Sequence, residues 1–154
     1  MSTQPSEDLL LRPHSKTCTQ EQLDYINQLI GRPWVRGAEG PEAFDCWSCA
    51  KHIEELFFGR AMPSFTDPPS ALRALAKLIK HHEHRAKWQR VDQPVHGALV
   101  ELAHVREAFH IGVWLNVEGG GILHCNQRVG VAWDTQLKLQ AAGWRGFYYH
   151  DWIG

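Results

Sequence analysis

GPEAFDCWSCAKHIEELFFG, Gly40 to Gly59, puts two cysteines three positions apart where a helical pattern begins. Cys46, Cys49/Ala50, Ile53 and Leu56/Phe57 recur at three and four residues, and Gly59 supplies a stop, so a helix is predicted from about Cys46 to Phe58. Cys46 then lies in its first turn, with Asp45 placed to cap it. Such a pair can be a zinc half-site, a redox couple, or one nucleophile with a bystander.

The chain around it sets the context. At 154 residues it can bury a core without disulfide or metal staples. A formal net charge of −1 with 21% charged residues argues against a dedicated nucleic-acid binder. No run approaches the roughly 20 apolar residues of a membrane-spanning helix. The start, MSTQPSEDLLLRPHSK, lacks the charged-then-apolar pattern of a secretion signal, so synthesis in the cytoplasm without its own export address is expected. Four cysteines, Cys18, Cys46, Cys49 and Cys125, are too few and too unevenly placed for a secreted disulfide framework.

Residues 1–18 read as an irregular, proline-punctuated leader, and 19–154 as one domain. Thr19 and Gln22 form a capping box for a first helix whose Leu23, Ile26, Leu29 and Ile30 share a face, with Gly31 past its end. RPWVRGAEGPEAF, 32–44, is a shaped loop. After the Cys46 helix, Ser70 is read as the cap of a third, ALRALAKLIKHHEHRAKW. From Pro94 the pattern changes: VHGALVELAHV, FHIGVWLNV, GGILHCN, VGVAW and GWRGFYYHDW are short β-branched and aromatic segments between glycine-rich turns, with a short helix at DTQLKLQAAG. The expected class is α+β, N-terminal helices packed on an antiparallel sheet.

A zinc site needs three or four ligands, usually from a second close pair. The partner pair here, His124–Cys125, points to opposite faces of a strand. A thioredoxin-like couple wants a buried strand directly before the motif, and GAEGPEAF is not one. A nucleophile is the third option: a helix N-terminus favours the thiolate, the attacking form. Its base candidate is His110 of FHIGVWL, and His124 of GILHCN, one hairpin away, is placed to orient that imidazole.

The order G-R-P-W-V-R-G-A-E-G-P-E-A-F-D-C-W, helix, G-A-L-V-E-L, F-H-I-G-V-W-L and I-L-H resembles the NlpC family of cell-wall cysteine peptidases, most closely its phage tail assembly branch. The likeness spans roughly residues 20–153 and rests on the combination, since FDC alone is weak. It implies a papain-like α+β fold with Cys46 as nucleophile, His110 as base and His124 as orienter, and with Trp34, Asp45 and Trp47 around the oxyanion and substrate groove. It implies no cofactor and no metal. The implied substrate is the peptidoglycan stem peptide, cut between D-γ-glutamyl and a diamino acid, and phage tail proteins are the implied partners. Where the family carries a tyrosine after the loop proline this chain has Trp34, offering only an indole N–H; its glycine pair is Gly37–Ala38; and Ser48-Cys49-Ala50 replaces a small-Leu-Val run.

Other residues have plain readings. Asp45 suits an N-cap more than a substrate contact, Cys49 a small buried apolar residue, and Cys18 and Cys125 packing positions. Arg73 to Arg90 holds six Lys/Arg against Glu83 and reads as a solvated basic face. His81, His82, His84, His96 and His104 carry little weight as ligands. A wall enzyme without an export signal would travel by another vehicle, a phage tail or a contractile secretion system. The competing expectations are an injected antibacterial amidase and, in another class, a tail-assembly protein that keeps the fold for docking.

Overall fold

The computed structural model describes residues 7–64, 86–104 and 110–154. Its elements in chain order are α1 (Glu7–Leu10), α2 (Gln20–Leu29), α3 (Cys46–Phe58), β1 (Trp88–Val91), β2 (Leu99–His104), β3 (His110–Leu115), β4 (Gly121–Asn126), β5 (Gly130–Asp134), α4 (Gln136–Ala141) and β6 (Trp144–Trp152).

The two central helices start and stop where local chemistry dictates. The Thr19 hydroxyl accepts from the Gln22 amide at 3.1 Å while the Gln22 side chain accepts from the Thr19 amide at 2.9 Å, the reciprocal capping box expected. Helix α3 opens with Asp45 Oδ1 accepting from the Ser48 amide at 2.8 Å and ends on Gly59, whose φ of 69° is a left-handed conformation that glycine adopts without a Cβ penalty.

The strands form one antiparallel sheet in the order β1-β6-β2-β3-β4-β5. Alternation divides its side chains between two cores. Leu99, Ile111, Val113, Leu115, Leu123, Cys125 and Val131 pack with α2 and α3, joined by Tyr25, Ile53 and Phe57. Val100, Leu102, Trp114, Ile122, Trp144 and Tyr149 build the second core with Leu139 of α4. This is the α+β layering the sequence implied.

Two places differ from the sequence reading. The leader is not irregular throughout: Glu7–Leu10 is a helical turn, Leu10 is buried, and its carbonyl accepts from the Gln22 side chain at 2.6 Å. The anticipated third helix falls mostly on residues 65–85, outside the described ones, but its last residue, Trp88, instead heads β1 and pairs with Trp152 of β6. Strand β1 was not foreseen, because WQRV carries no alternation of its own and is defined by its partner strand. His81, His82 and His84 also lie outside the described residues.

Candidate active site

Loop 32–44 delivers α3 to the sheet. The Val35 amide donates to the Phe44 carbonyl at 2.9 Å and the Phe44 amide to the Pro33 carbonyl at 3.1 Å, so the loop closes on itself just before the helix. The Ala38 carbonyl accepts from the Ser48 hydroxyl at 2.6 Å, tying the loop to the first turn of α3. The buried Phe44 in turn accepts a contact from Cys125 Sγ at 3.5 Å. Since Cys125 follows His124 on β4, the N-terminus of α3 abuts the end of β4 that carries that histidine.

Cys46 is 7% exposed. Burial, and after it the neighbouring Asp45 carboxylate, push its thiol up to about 12, while the backbone N–H groups of Trp47 and Cys46 pull the other way. The Ser48 and Cys49 amides are committed to Asp45, at 2.8 and 3.2 Å, so the amides of Cys46 and Trp47 are the ones that face the sulfur. The expected helix-terminus effect is present but outweighed: at rest the group is a thiol, and a base must take its proton.

The two histidines meet. Nε2 of His110, the first residue of β3, lies 2.8 Å from Nδ1 of His124, the rings edge to face with centroids 5.0 Å apart. His124 is 1% exposed and His110 9%, so His110 is the outer member. Burial, then the neighbouring His124, hold the His110 pKa well below 6.5, leaving a neutral imidazole able to accept a proton. Trp144 lies against its ring at 5.6 Å. Gly112 explains the glycine two residues after His110: it pairs with His124 across the strands, and a Cβ there would come within 2.6 Å of Ile122 Cγ2 and 3.1 Å of His124 Cβ.

Sequence reading missed one member of this array. Asp134 Oδ2 lies 2.8 Å from His124 Nε2, and Asp134 Oδ1 lies 3.0 Å from Lys138 Nζ. The bond with His124, ahead of the Lys138 interaction, lowers the Asp134 pKa. The available signal was register: Ala132 pairs with His124, and Asp134 stands two residues on, diagonally placed on the same face.

The remaining candidates have settled places. Asp45 is the N-cap. Trp47 is 4% exposed and its indole N–H donates to the Pro63 carbonyl at 2.9 Å, making it part of the wall beneath the helix start. Trp34 is half-buried against the core, its backbone bridged to Phe44. Cys49 and Cys125 are buried thiols and Cys18 is half-buried. His96 accepts from the Asn116 amide at 2.9 Å and His104 lies edge-on to Trp144, both structural contacts. Among the described residues, no group of three or more His, Cys, Asp or Glu is arranged to hold a metal ion, and no helix is long and apolar enough to cross a membrane.

Comparison of folds adds an independent finding. Fifteen chains of solved structures match this one. Among them is the crystal structure of the NlpC/p60 domain of the peptidoglycan hydrolase SagA, with a TM-score of 0.51 and 19% identity over 82% of this chain and 93% of that one. The fold is that of an NlpC/p60 domain. No protein-family model matches the sequence, and no curated protein does. In the NlpC/p60 fold of this chain, the helix bearing Cys46 packs on the strands bearing His110 and His124.

Proposed function

We propose that the chain is a cysteine peptidase of peptidoglycan stem peptides, with residues 19–154 as its working domain. The observation that carries this reading is the His110–His124 contact at 2.8 Å, held at the end of β4 against which a cysteine-bearing helix N-terminus abuts. A buried histidine pair on two strands against which a helix starting with a buried cysteine packs is a poor arrangement for packing alone and a good one for acyl transfer. The likeness to a peptidoglycan hydrolase domain supports the substrate class, and the FDC, FHIG and ILH motifs support the bond, D-γ-glutamyl to diamino acid.

In this mechanism His110 Nδ1, the ring nitrogen not engaged by His124, takes the Cys46 thiol proton as sulfur attacks the scissile carbonyl. The backbone N–H groups of Cys46 and Trp47, with the Trp34 indole that the family resemblance assigns to the groove, receive the developing oxyanion. His110 returns the proton to the leaving amine, and water then hydrolyses the thioester. The resemblance to the tail-assembly branch supports a phage or prophage tail as the vehicle, with an injected amidase as the alternative within the same chemistry.

A synthetic L-Ala-γ-D-Glu-diaminopimelate peptide tests the chemistry: wild type should release L-Ala-D-Glu, and His110→Ala should lose about a hundredfold or more in kcat. Equal turnover by both would overturn it. A docking role without turnover is favoured by one observation, the thiol held at about 12 in its buried site. That reading expects no release at all from a folded wild-type protein.

A further inference from the structure

We propose that Asp134 is a positioning residue: it fixes the direction in which protons are held along the Asp134–His124–His110 line and thereby makes Nδ1 of His110 the basic nitrogen. The inference rests on the reading of Cys46 and His110 as nucleophile and base.

The argument follows from donors and acceptors. A carboxylate only accepts, so His124 Nε2, 2.8 Å from Asp134 Oδ2, must carry a hydrogen. A neutral His124 then has its lone pair on Nδ1, which accepts. His110 Nε2, 2.8 Å from that lone pair, must be the donor, so a neutral His110 keeps its lone pair on Nδ1. That is the nitrogen left to receive the thiol proton. Without an obligate acceptor beyond His124, the opposite polarity would be equally available, and His110 would present an N–H where a base is needed.

Lys138 sharpens the assignment. Its ammonium lies 3.0 Å from Asp134 Oδ1 and has only hydrogens to offer, so it holds that oxygen and leaves Oδ2 for His124. The same contact dictates what Asp134→Asn would do. The amide oxygen would turn to Lys138 and its NH₂ group would face His124 Nε2, forcing the hydrogen of His124 to Nδ1. His124 would then donate to His110 Nε2, and the remaining His110 hydrogen would move to Nδ1. Only hydrogens of the two imidazoles need move for the base to be switched off.

The test reads tautomers directly. Protein carrying ¹⁵N-labelled histidine is examined by long-range ¹H–¹⁵N spectra at pH 8, which report which ring nitrogen bears the hydrogen. Wild type is expected to show both His110 and His124 protonated on Nε2, and Asp134→Asn to show both on Nδ1. In parallel, cleavage by Asp134→Asn is expected to fall about a hundredfold or more in kcat with KM little changed. His110 protonated on Nδ1 in wild type overturns the inference and requires no variant to fold. So does an Asp134→Asn protein that keeps both wild-type tautomers. Because the tautomers are read without turnover, a wild type that cleaves nothing yet holds both hydrogens on Nε2 overturns the proposed function while supporting the positioning role.

Discussion

Cys46 is caught between a helix terminus that favours its anion and a carboxylate, one residue earlier, that opposes it. Asparagine caps helices about as well as aspartate, so Asp45→Asn removes the opposing charge while keeping the first turn. Alkylation of Cys46 by iodoacetamide at fixed pH should therefore quicken in Asp45→Asn. An unchanged rate would show that burial alone holds the thiol up. In wild type the alkylation rate should climb toward alkaline pH, without the flat reactive plateau from about pH 5 that a resting thiolate–imidazolium pair would give. Gly112 is the other residue with a sharp expectation: Gly112→Ala should cost about 1–3 kcal/mol of stability, visible as a lowered urea midpoint, and should spoil the histidine contact. At this scale the places of Cys46 at a helix start and of His110 and His124 on adjacent hairpin strands were legible, because a helix start and two hairpin strands have simple periods. Asp134 was not, because Asp-Thr before a short amphipathic run reads as helix capping. Thr135 in fact does that, accepting from the Lys138 amide at 3.2 Å, which leaves Asp134 to end β5 facing His124.

Among the elements, α3 is the one on which the arrangement depends, and its cap is local enough to be read from FDCWS. Removing it by Asp45→Ala should cost about 1 kcal/mol, or roughly 2–4 °C in Tm for a chain of this size, measured by thermal melting. The cost should exceed that of Asp45→Asn, which separates capping from charge. Strands β2 to β6 were legible because each is a short segment rich in β-branched and aromatic residues set between glycine-rich turns. Strand β1 was not: Trp88-Gln89-Arg90-Val91 gains its conformation from pairing with Tyr149–Trp152, a contact between residues some sixty positions apart that no window of sequence contains. Helix α1 is the same case in miniature, a single turn held by Leu10 in the core and by the Gln22 side chain on its carbonyl.

Over the whole molecule, buried ionisable groups set how stability follows pH. Burial lowers the pKa of His52 and His96 from 6.5 to about 4 and that of His110 well below 6.5, so the unfolded chain binds more protons at these sites and stability is lost as pH falls from 6.5 toward 4. Glu54 acts oppositely: burial raises it from 4.5 to about 8 despite Arg60 at 3.0 Å, so the folded chain holds an extra proton and stability falls as pH rises between those values. Below 6.5 three histidines outweigh one glutamate; from 6.5 to about 8 Glu54 acts alone, and above that the thiols of Cys18, Cys46 and Cys125, raised by burial from 9.0 to about 12, extend the loss. Urea midpoints should therefore peak near pH 6.5 and drop on both sides, with Glu54→Gln removing the decline between pH 6.5 and about 8.

The central claim, that Cys46 cuts peptidoglycan stem peptides, is tested most directly by digesting crosslink-defined peptidoglycan with wild type and with Cys46→Ala and reading the products by mass spectrometry. Fragments ending at D-glutamate, released by wild type alone, are the expected result. The same fragments from both proteins, or none from a well-folded wild type, would contradict it.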